Sequence, residues 1–214
     1  MKKVLIGLTG GLAGGKSTVA GLFREAGFLV VDADRLVAEL YLPGAKGTAK
    51  LVELFGPGIL GPDQGVDKAA LAARIFSDAA QRKQVEAAIH PLVRERFREI
   101  AEKAEGVAVY EATLLVESGH AKDFDFIVTV EAPAQLRLAR AVARGMSEEQ
   151  ARARLLAQGD GAVRLDGAHR VIDNSGGVEH LKHEVATLIA ELRGICGELE
   201  VHPLKAPETA APAT

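Results

Sequence analysis

Gly10-Gly11-Leu12-Ala13-Gly14-Gly15-Lys16-Ser17-Thr18 constrains this chain more than any other stretch. Gly10 to Ser17 fit G-x-x-x-x-G-K-[ST], the spacing of a phosphate-binding loop. The setting agrees. Lys3 to Thr9 is an apolar run of buried-strand length, and Val19, Ala20, Leu22, Phe23 and Ala26 then fall at helical spacing until Gly27 closes the helix as its C′ residue. A strand that turns through glycines into a helix points unpaired N–H groups and the positive end of a helix dipole at one place, which suits an anion. Glycine is needed because backbone amides must approach phosphate oxygens without a Cβ in the way. In this pattern Lys16 reaches the β- and γ-phosphates of a nucleotide and the Ser17 hydroxyl binds Mg²⁺. Gly11, Leu12, Ala13, Gly14, Gly15, Lys16, Ser17 and Thr18 are therefore the expected nucleotide-binding residues. The competing reading, a glycine-rich turn that binds nothing, leaves the strand before and the helix after without a reason.

The chain has 214 residues, 48% of them hydrophobic, enough for one good core with smaller lobes attached. A net charge of −3 argues against a nucleic-acid binder that works through a global positive field. Cys196 is the only cysteine, which excludes an internal disulfide and suits a reducing compartment. No stretch approaches the roughly 18 apolar residues that a membrane span requires. The apolar run after Met1-Lys2-Lys3 imitates a secretory leader, but Gly10 to Lys16 interrupts it too early. The expectation is a soluble, cytoplasmic protein with no nucleic-acid or membrane partner.

Phe28-Leu29-Val30-Val31 reads as a second short buried strand ending at Asp32-Ala33-Asp34, with a helix from Leu36 that Pro43-Gly44 stops. From about Thr48 to Glu105 the chain reads as almost all helix, broken at Gly56-Pro57-Gly58, at Gly61-Pro62 and before Pro91, with Asp67 and Asp78 as N-caps. Strand character returns at Val107 to Tyr110, ending at Glu111, at Phe124 to Val130 and at Arg170 to Asp173. Pro133 opens a helix to about Ala143, and Ser147 with Gln150 forms a capping box for another to about Gln158. Leu181, Val185, Leu188, Ile189, Leu192 and Ile195 mark one face of a long amphipathic helix.

Five short strands alternating with helices predict an α/β fold: a five-stranded parallel sheet covered on both faces, the three-layer arrangement of P-loop nucleoside-triphosphate hydrolases. The core takes in about 1–35, 106–136 and 168–200. A helical lobe covers about 36–105, an arginine-bearing segment about 137–167, and a disordered tail rich in Pro, Ala and Thr runs over 201–214. Ligands in such sheets lie beyond the carboxyl ends of the strands, where the loop, Asp32, Asp34, Glu111 and the residues after Asp173 converge.

Two sets of charged residues stand out at that edge. If the chain is still extended at Asp32 and Asp34, both carboxylates point to one side. A kinase that phosphorylates an alcohol wants a carboxylate to orient the hydroxyl and take its proton, a role that suits Asp34. Asp32 either shares that site or caps the next helix. The arginines at 137, 140, 144, 152, 154, 164 and 170 make a local basic patch. Any one of them taken singly reads as solvated surface, but Arg140 and Arg144, one helical turn apart, could converge on one anion.

With these residues in view the sequence resembles the dephospho-coenzyme A kinases, from about Val4 to Ile189. The resemblance rests on Gly7-Leu8-Thr9-Gly10-Gly11 leading to Gly15-Lys16-Ser17-Thr18, on Asp32-Ala33-Asp34 and on Pro43-Gly44. It continues through Arg74-Ile75-Phe76, His90-Pro91-Leu92-Val93 and Leu114-Leu115-Val116-Glu117 to Val171-Ile172-Asp173-Asn174 followed by Gly176. It implies that the lobe at 36–105 is a substrate lobe and the segment at 137–167 a small lid, and it implies transfer of the γ-phosphate of Mg·ATP to the ribose 3′-hydroxyl of dephospho-CoA. On that reading Asp34, Lys16 and Arg140 are catalytic, while Arg144 and Asn174 join the ATP site. Asp32, His90, Leu115 and Glu117 belong to the dephospho-CoA site, and Ser17 with Glu111, through water, to Mg²⁺. His90 has a second reading, a residue packed before a proline at a helix start. The chain departs from the family at Ala13-Gly14-Gly15, where Gly-Ser-Gly is usual, at Thr113 for Pro, at His169 for Asp, at Glu111 for Asp, and around Gln135 to Arg140, where the family's Gln is replaced or shifted. The alternatives are another small-molecule or nucleoside monophosphate kinase of the same fold, and a non-catalytic nucleotide-binding module. A GTP-dependent switch would need an Asn-Lys-x-Asp stretch, which is absent from the sequence.

Overall fold

The computed structural model describes residues 3–76 and 78–197, so the expected tail at 201–214 lies outside the described residues. Five strands, β1 (Val4–Gly10), β2 (Leu29–Asp32), β3 (Val107–Glu111), β4 (Phe126–Glu131) and β5 (Arg170–Asp173), form one sheet in the order β2-β3-β1-β4-β5. The β1–β3, β1–β4 and β4–β5 pairings are parallel. The three inner strands are buried almost end to end, as strands covered on both faces must be. The second strand differs from its expectation as a buried one. It lies at the sheet edge, and only Val31 in it is buried. Two side chains act as acceptors where strands begin: Asp125 Oδ2 takes the Leu5 N–H at 2.8 Å, and His169 Nδ1 takes the Ile127 N–H at 3.0 Å. The histidine thus supplies an acceptor in the place where the family resemblance leads one to expect Asp.

Helix α1 (Lys16–Glu25) ends as the sequence predicts. Gly27 has φ 86°, its N–H donates to Arg24 C=O, and the Phe28 N–H donates to Phe23 C=O. The rings of Phe23 and Phe28 then meet at 5.7 Å, the apolar contact that accompanies this helix stop. Helix α9 (Val178–Gly197) buries Leu181, Val185, Leu188 and Leu192, all at most 2% exposed, in the same core as Val19, Phe23 and the inward residues of β1 and β4.

Contacts divide the chain into two compact units, one taking in the chain up to Val30 and from Ala104 onward, the other Val31–Lys103. The first holds the phosphate loop and also α6 (Ala134–Ala143), α7 (Glu148–Gln158) and α8 (Ala162–Asp166), the segment expected as a lid. The second is helical: α2 (Ala33–Leu40), α3 (Lys46–Phe55), α4 (Lys68–Ile75) and α5 (Ala79–Glu102). Asp67 and Asp78 cap α4 and α5 as expected, each accepting two backbone N–H groups. The Gln81 backbone amide, then its side-chain amide, hold the Asp78 carboxyl below its ordinary range.

Two local expectations are corrected. Pro91 does not break the chain but lies inside the 24-residue α5. Val85, Ile89, Val93, Phe97 and Ala101, each four residues after the last, form a buried ridge on both sides of it. Burial of that ridge outweighs the roughly 3 kcal/mol that an interior proline costs. The helix expected from Leu36 starts instead at Ala33. Asp32 is its N-cap, with Oδ1 accepting the Asp34 N–H at 2.8 Å, so the two carboxylates do not share one side of an extended strand. Among the described residues no helix is long and apolar enough to cross a membrane.

Candidate active site

β1 delivers the chain to Gly10, and α1 begins at Lys16 with Gly15 as its N-cap at φ 108°. No side chain caps α1 and no acid occupies its first turn, so the positive end of the helix stays open to an anion. The backbone at Gly15 excludes any other residue for two reasons. Its φ is left-handed, and a Cβ there would stand 2.1 Å from Asn174 Nδ2. Ala13, where the family has Gly, adopts φ 54°, a left-handed conformation that costs a non-glycine residue about 1 kcal/mol or more. The loop therefore carries strain at the point where the sequence departs from the family.

Side chains from far along the sequence hold this loop. Asn174, 7% exposed, follows β5 and donates Nδ2–H to the Gly14 C=O at 2.8 Å. It ties the end of β5 to the loop, beside the place where the resemblance expects the nucleotide. Gln158, the last residue of α7, accepts the Leu12 N–H at 2.8 Å. Lys16 Nζ lies 3.0 Å from Glu111 Oε1, and Arg24 Nη2 lies 3.5 Å from Glu111 Oε2. Glu111, 5% exposed at the end of β3, thus fixes the loop lysine. Ser17 and Thr18 are exposed on the first turn of α1.

Leu12 and Ala13 join Arg144 at a cleft of about 320 Å³ that Met146 and Gln150 also line. Arg140 is half-buried on α6, and its Nη1 is buried without a hydrogen-bond partner among the described residues. Sequence reading took every arginine here singly as surface, and two are not. Arg164 is 0% and Arg137 5% exposed. Arg164 pairs with Glu131 Oε1 at 2.7 Å and with Glu117. Burial works against its charge, but Glu131 and then Glu117 outweigh that and hold its pKa above the ordinary value. Glu117, expected at the acceptor, is thereby engaged with Arg164, while Leu115 is 2% exposed and packed against Gly7, leaving almost no surface for a ligand. Arg137, Gln158, Arg164 and Glu131 were missed. The density of arginines marked Arg137 and Arg164 without telling of their burial, and nothing local marked Gln158 or Glu131.

In the helical unit Asp34 is exposed on the first turn of α2, at a cleft of about 320 Å³ lined also by Val37, Tyr41, Lys68, Leu71, Ala72 and Ile75. Burial pushes the Tyr41 hydroxyl pKa up. His90 is half-buried in the middle of α5, not at a helix start. Burial, ahead of any neighbouring charge, holds its imidazole below the usual value and so neutral at neutral pH.

A parallel sheet, a glycine loop opening onto an uncapped helix and a guanidinium-rich segment behind it define a kinase of the P-loop class. The family profile described as dephospho-CoA kinase matches residues 4–180. The dephospho-CoA kinase of Corynebacterium glutamicum is 42% identical over 192 residues, 87% of this chain and 96% of that one. The solved structure of TT1252 from Thermus thermophilus matches with a TM-score of 0.78 at 34% identity, covering 90% of this chain and 99% of that one. The dephospho-CoA kinase from Campylobacter jejuni matches with a TM-score of 0.68 at 26% identity, over 90% and 99% of the two chains. This chain belongs to the dephospho-CoA kinase family.

Proposed function

We propose that this protein transfers the γ-phosphate of Mg·ATP to the ribose 3′-hydroxyl of dephospho-CoA, giving CoA and ADP in the cytoplasm. The observation that carries the reading is an intact phosphate loop, braced on several sides, in a chain of this family. Phosphoryl transfer asks a protein mainly for positioning and charge stabilisation. The loop from Gly11 to Thr18 holds the β- and γ-phosphates with the amides it does not spend on Gln158, Gly11 and Gly15. Lys16 exchanges Glu111 for phosphate oxygens, and Arg140 and Arg144 neutralise the charge that spreads on the transferred group. Asp34 accepts the proton of the acceptor hydroxyl as its oxygen bonds to the γ-phosphorus and the bond to the β–γ bridging oxygen breaks. Asp32, as the cap of α2, fixes Asp34 at the start of its helix. His90 lies in the same helical unit as the acceptor cleft.

Magnesium fits the residues present. The Ser17 hydroxyl is exposed at the loop, and Glu111 is a carboxylate within reach of Lys16, the hard oxygen donors this ion takes alongside phosphates. Ser17 directly and Glu111 through water would hold it, and when bound it screens the charge of the β- and γ-phosphates.

Release of ADP from Mg·ATP, measured with and without dephospho-CoA, tests the reading. Stimulation by dephospho-CoA, and none by adenosine monophosphate or a deoxyribose analogue, is the expected result. Stimulation by adenosine monophosphate alone would favour a nucleoside monophosphate kinase instead. Asp34→Asn should lower kcat by roughly 10²–10⁴-fold with a smaller change in KM. Near-wild-type turnover in that variant removes Asp34 from the mechanism.

A further inference from the structure

Lys16, Arg137 and Arg164 lie at the phosphate loop, and the described structure supplies carboxylates for two of these three. Lys16 has Glu111. Arg164 has both Glu131 and Glu117, and Glu131 Oε1 also accepts the Thr129 hydroxyl at 2.8 Å. Arg137 forms no ion pair among the described residues, and its Nε and Nη1 are buried with no hydrogen-bond partner. Its side chain is nonetheless 5% exposed. A guanidinium buried in this way is costly unless an anion meets it.

Its position indicates which anion. A Cβ on Gly11 would stand 2.0 Å from Arg137 Nη1 and 3.2 Å from Arg164 Nη2. The Arg137 guanidinium packs directly against the backbone of Gly11, a residue of the loop. Glycine at this position therefore admits a positive charge close behind the phosphate cradle. Arg137 lies on the same helix as Arg140, three residues before it, and Arg140 also carries a buried, unpartnered Nη1. Two guanidiniums of α6 thus carry buried nitrogens without partners among the described residues.

We propose that Arg137 is a further positioning residue of the nucleotide site, a fixed positive charge left without a carboxylate so that the polyphosphate of the nucleotide balances it. This rests on the reading that the loop binds ATP. The charge matters more than the shape of the side chain, and it favours ATP over ADP because ATP brings the more negative polyphosphate.

Nucleotide affinity and thermal unfolding of the full chain test this in the wild type, Arg137→Gln and Arg137→Lys. Expected for Arg137→Gln is an unliganded Tm equal to or above wild type, because an unbalanced buried charge has been removed. Its Kd for ATP should rise by about tenfold or more, with a smaller rise for ADP. Arg137→Lys should recover most of the ATP affinity. An Arg137→Gln protein with a lowered Tm and unchanged Kd for ATP overturns the proposal and makes Arg137 a packing residue. Should Arg137→Gln fail to fold, Arg137→Lys decides the matter, since a folded lysine variant with tenfold weaker ATP binding also overturns it. A wild type that binds no ATP overturns the loop reading itself, a result separate from either variant's behaviour.

Discussion

In the helical unit, Asp67 accepts the N–H groups of Ala69 and Ala70, two and three residues on. At the phosphate loop, Asn174 reaches Gly14 across 160 positions, Gln158 reaches Leu12 across 146 and Lys16 reaches Glu111 across 95. One region satisfies its orphan backbone groups from its own neighbours, and the other borrows partners that the fold brings back to it. The difference follows from purpose. A helix start is completed by one cap and needs nothing further. A loop that must keep its amides open towards a ligand has to be held from behind by side chains with no local competition for those amides.

Four substitutions break or sharpen that contrast. Lys16→Ala is expected to have the largest effect, a loss of 10²-fold or more in kcat in the ADP-release assay, as when one preorganised donor is removed. Asn174→Ala deletes the hydrogen bond to the Gly14 C=O. KM for ATP should rise about tenfold while kcat changes less, and an unaltered KM would show that the loop keeps its shape unaided. Asp67→Ala probes the local kind of support, and denaturant unfolding should register a loss of about 1 kcal/mol with turnover preserved. Ala13→Gly should move stability the other way by up to about 1 kcal/mol, since it relieves a left-handed alanine. A destabilised Ala13→Gly protein would mean that the strain at φ 54° is offset by contacts of the methyl group.

Most of the fold was legible because its signals are local. The loop, the Gly27 stop, the Asp67 and Asp78 caps and the apolar face of α9 each lie within one window of the chain. Misreadings arose where packing or capping overrode the pattern of the segment. Pro91 reads as a break, and it is carried through by a ridge packed on both sides of it. Asp32 and Asp34 allow either an extended pair or a helix cap, and the fold takes the cap, which turns the chain helical one residue later. Arg137 and Arg164 look like their exposed neighbours Arg152 and Arg154 because a guanidinium carries no mark of its burial.

By itself the order of residues determined that a strand, a glycine turn and a helix would meet at an anion site, since backbone sterics and helix periodicity act over a few residues. Tertiary structure alone decided which side chains back that site. Asn174 became a brace and Glu111 the anchor of Lys16, while Arg137 was left with no acid of its own. The reason is geometric. Charge balance in a buried cluster depends on which strands lie side by side, and the order β2-β3-β1-β4-β5 is a property of the folded sheet rather than of any one segment.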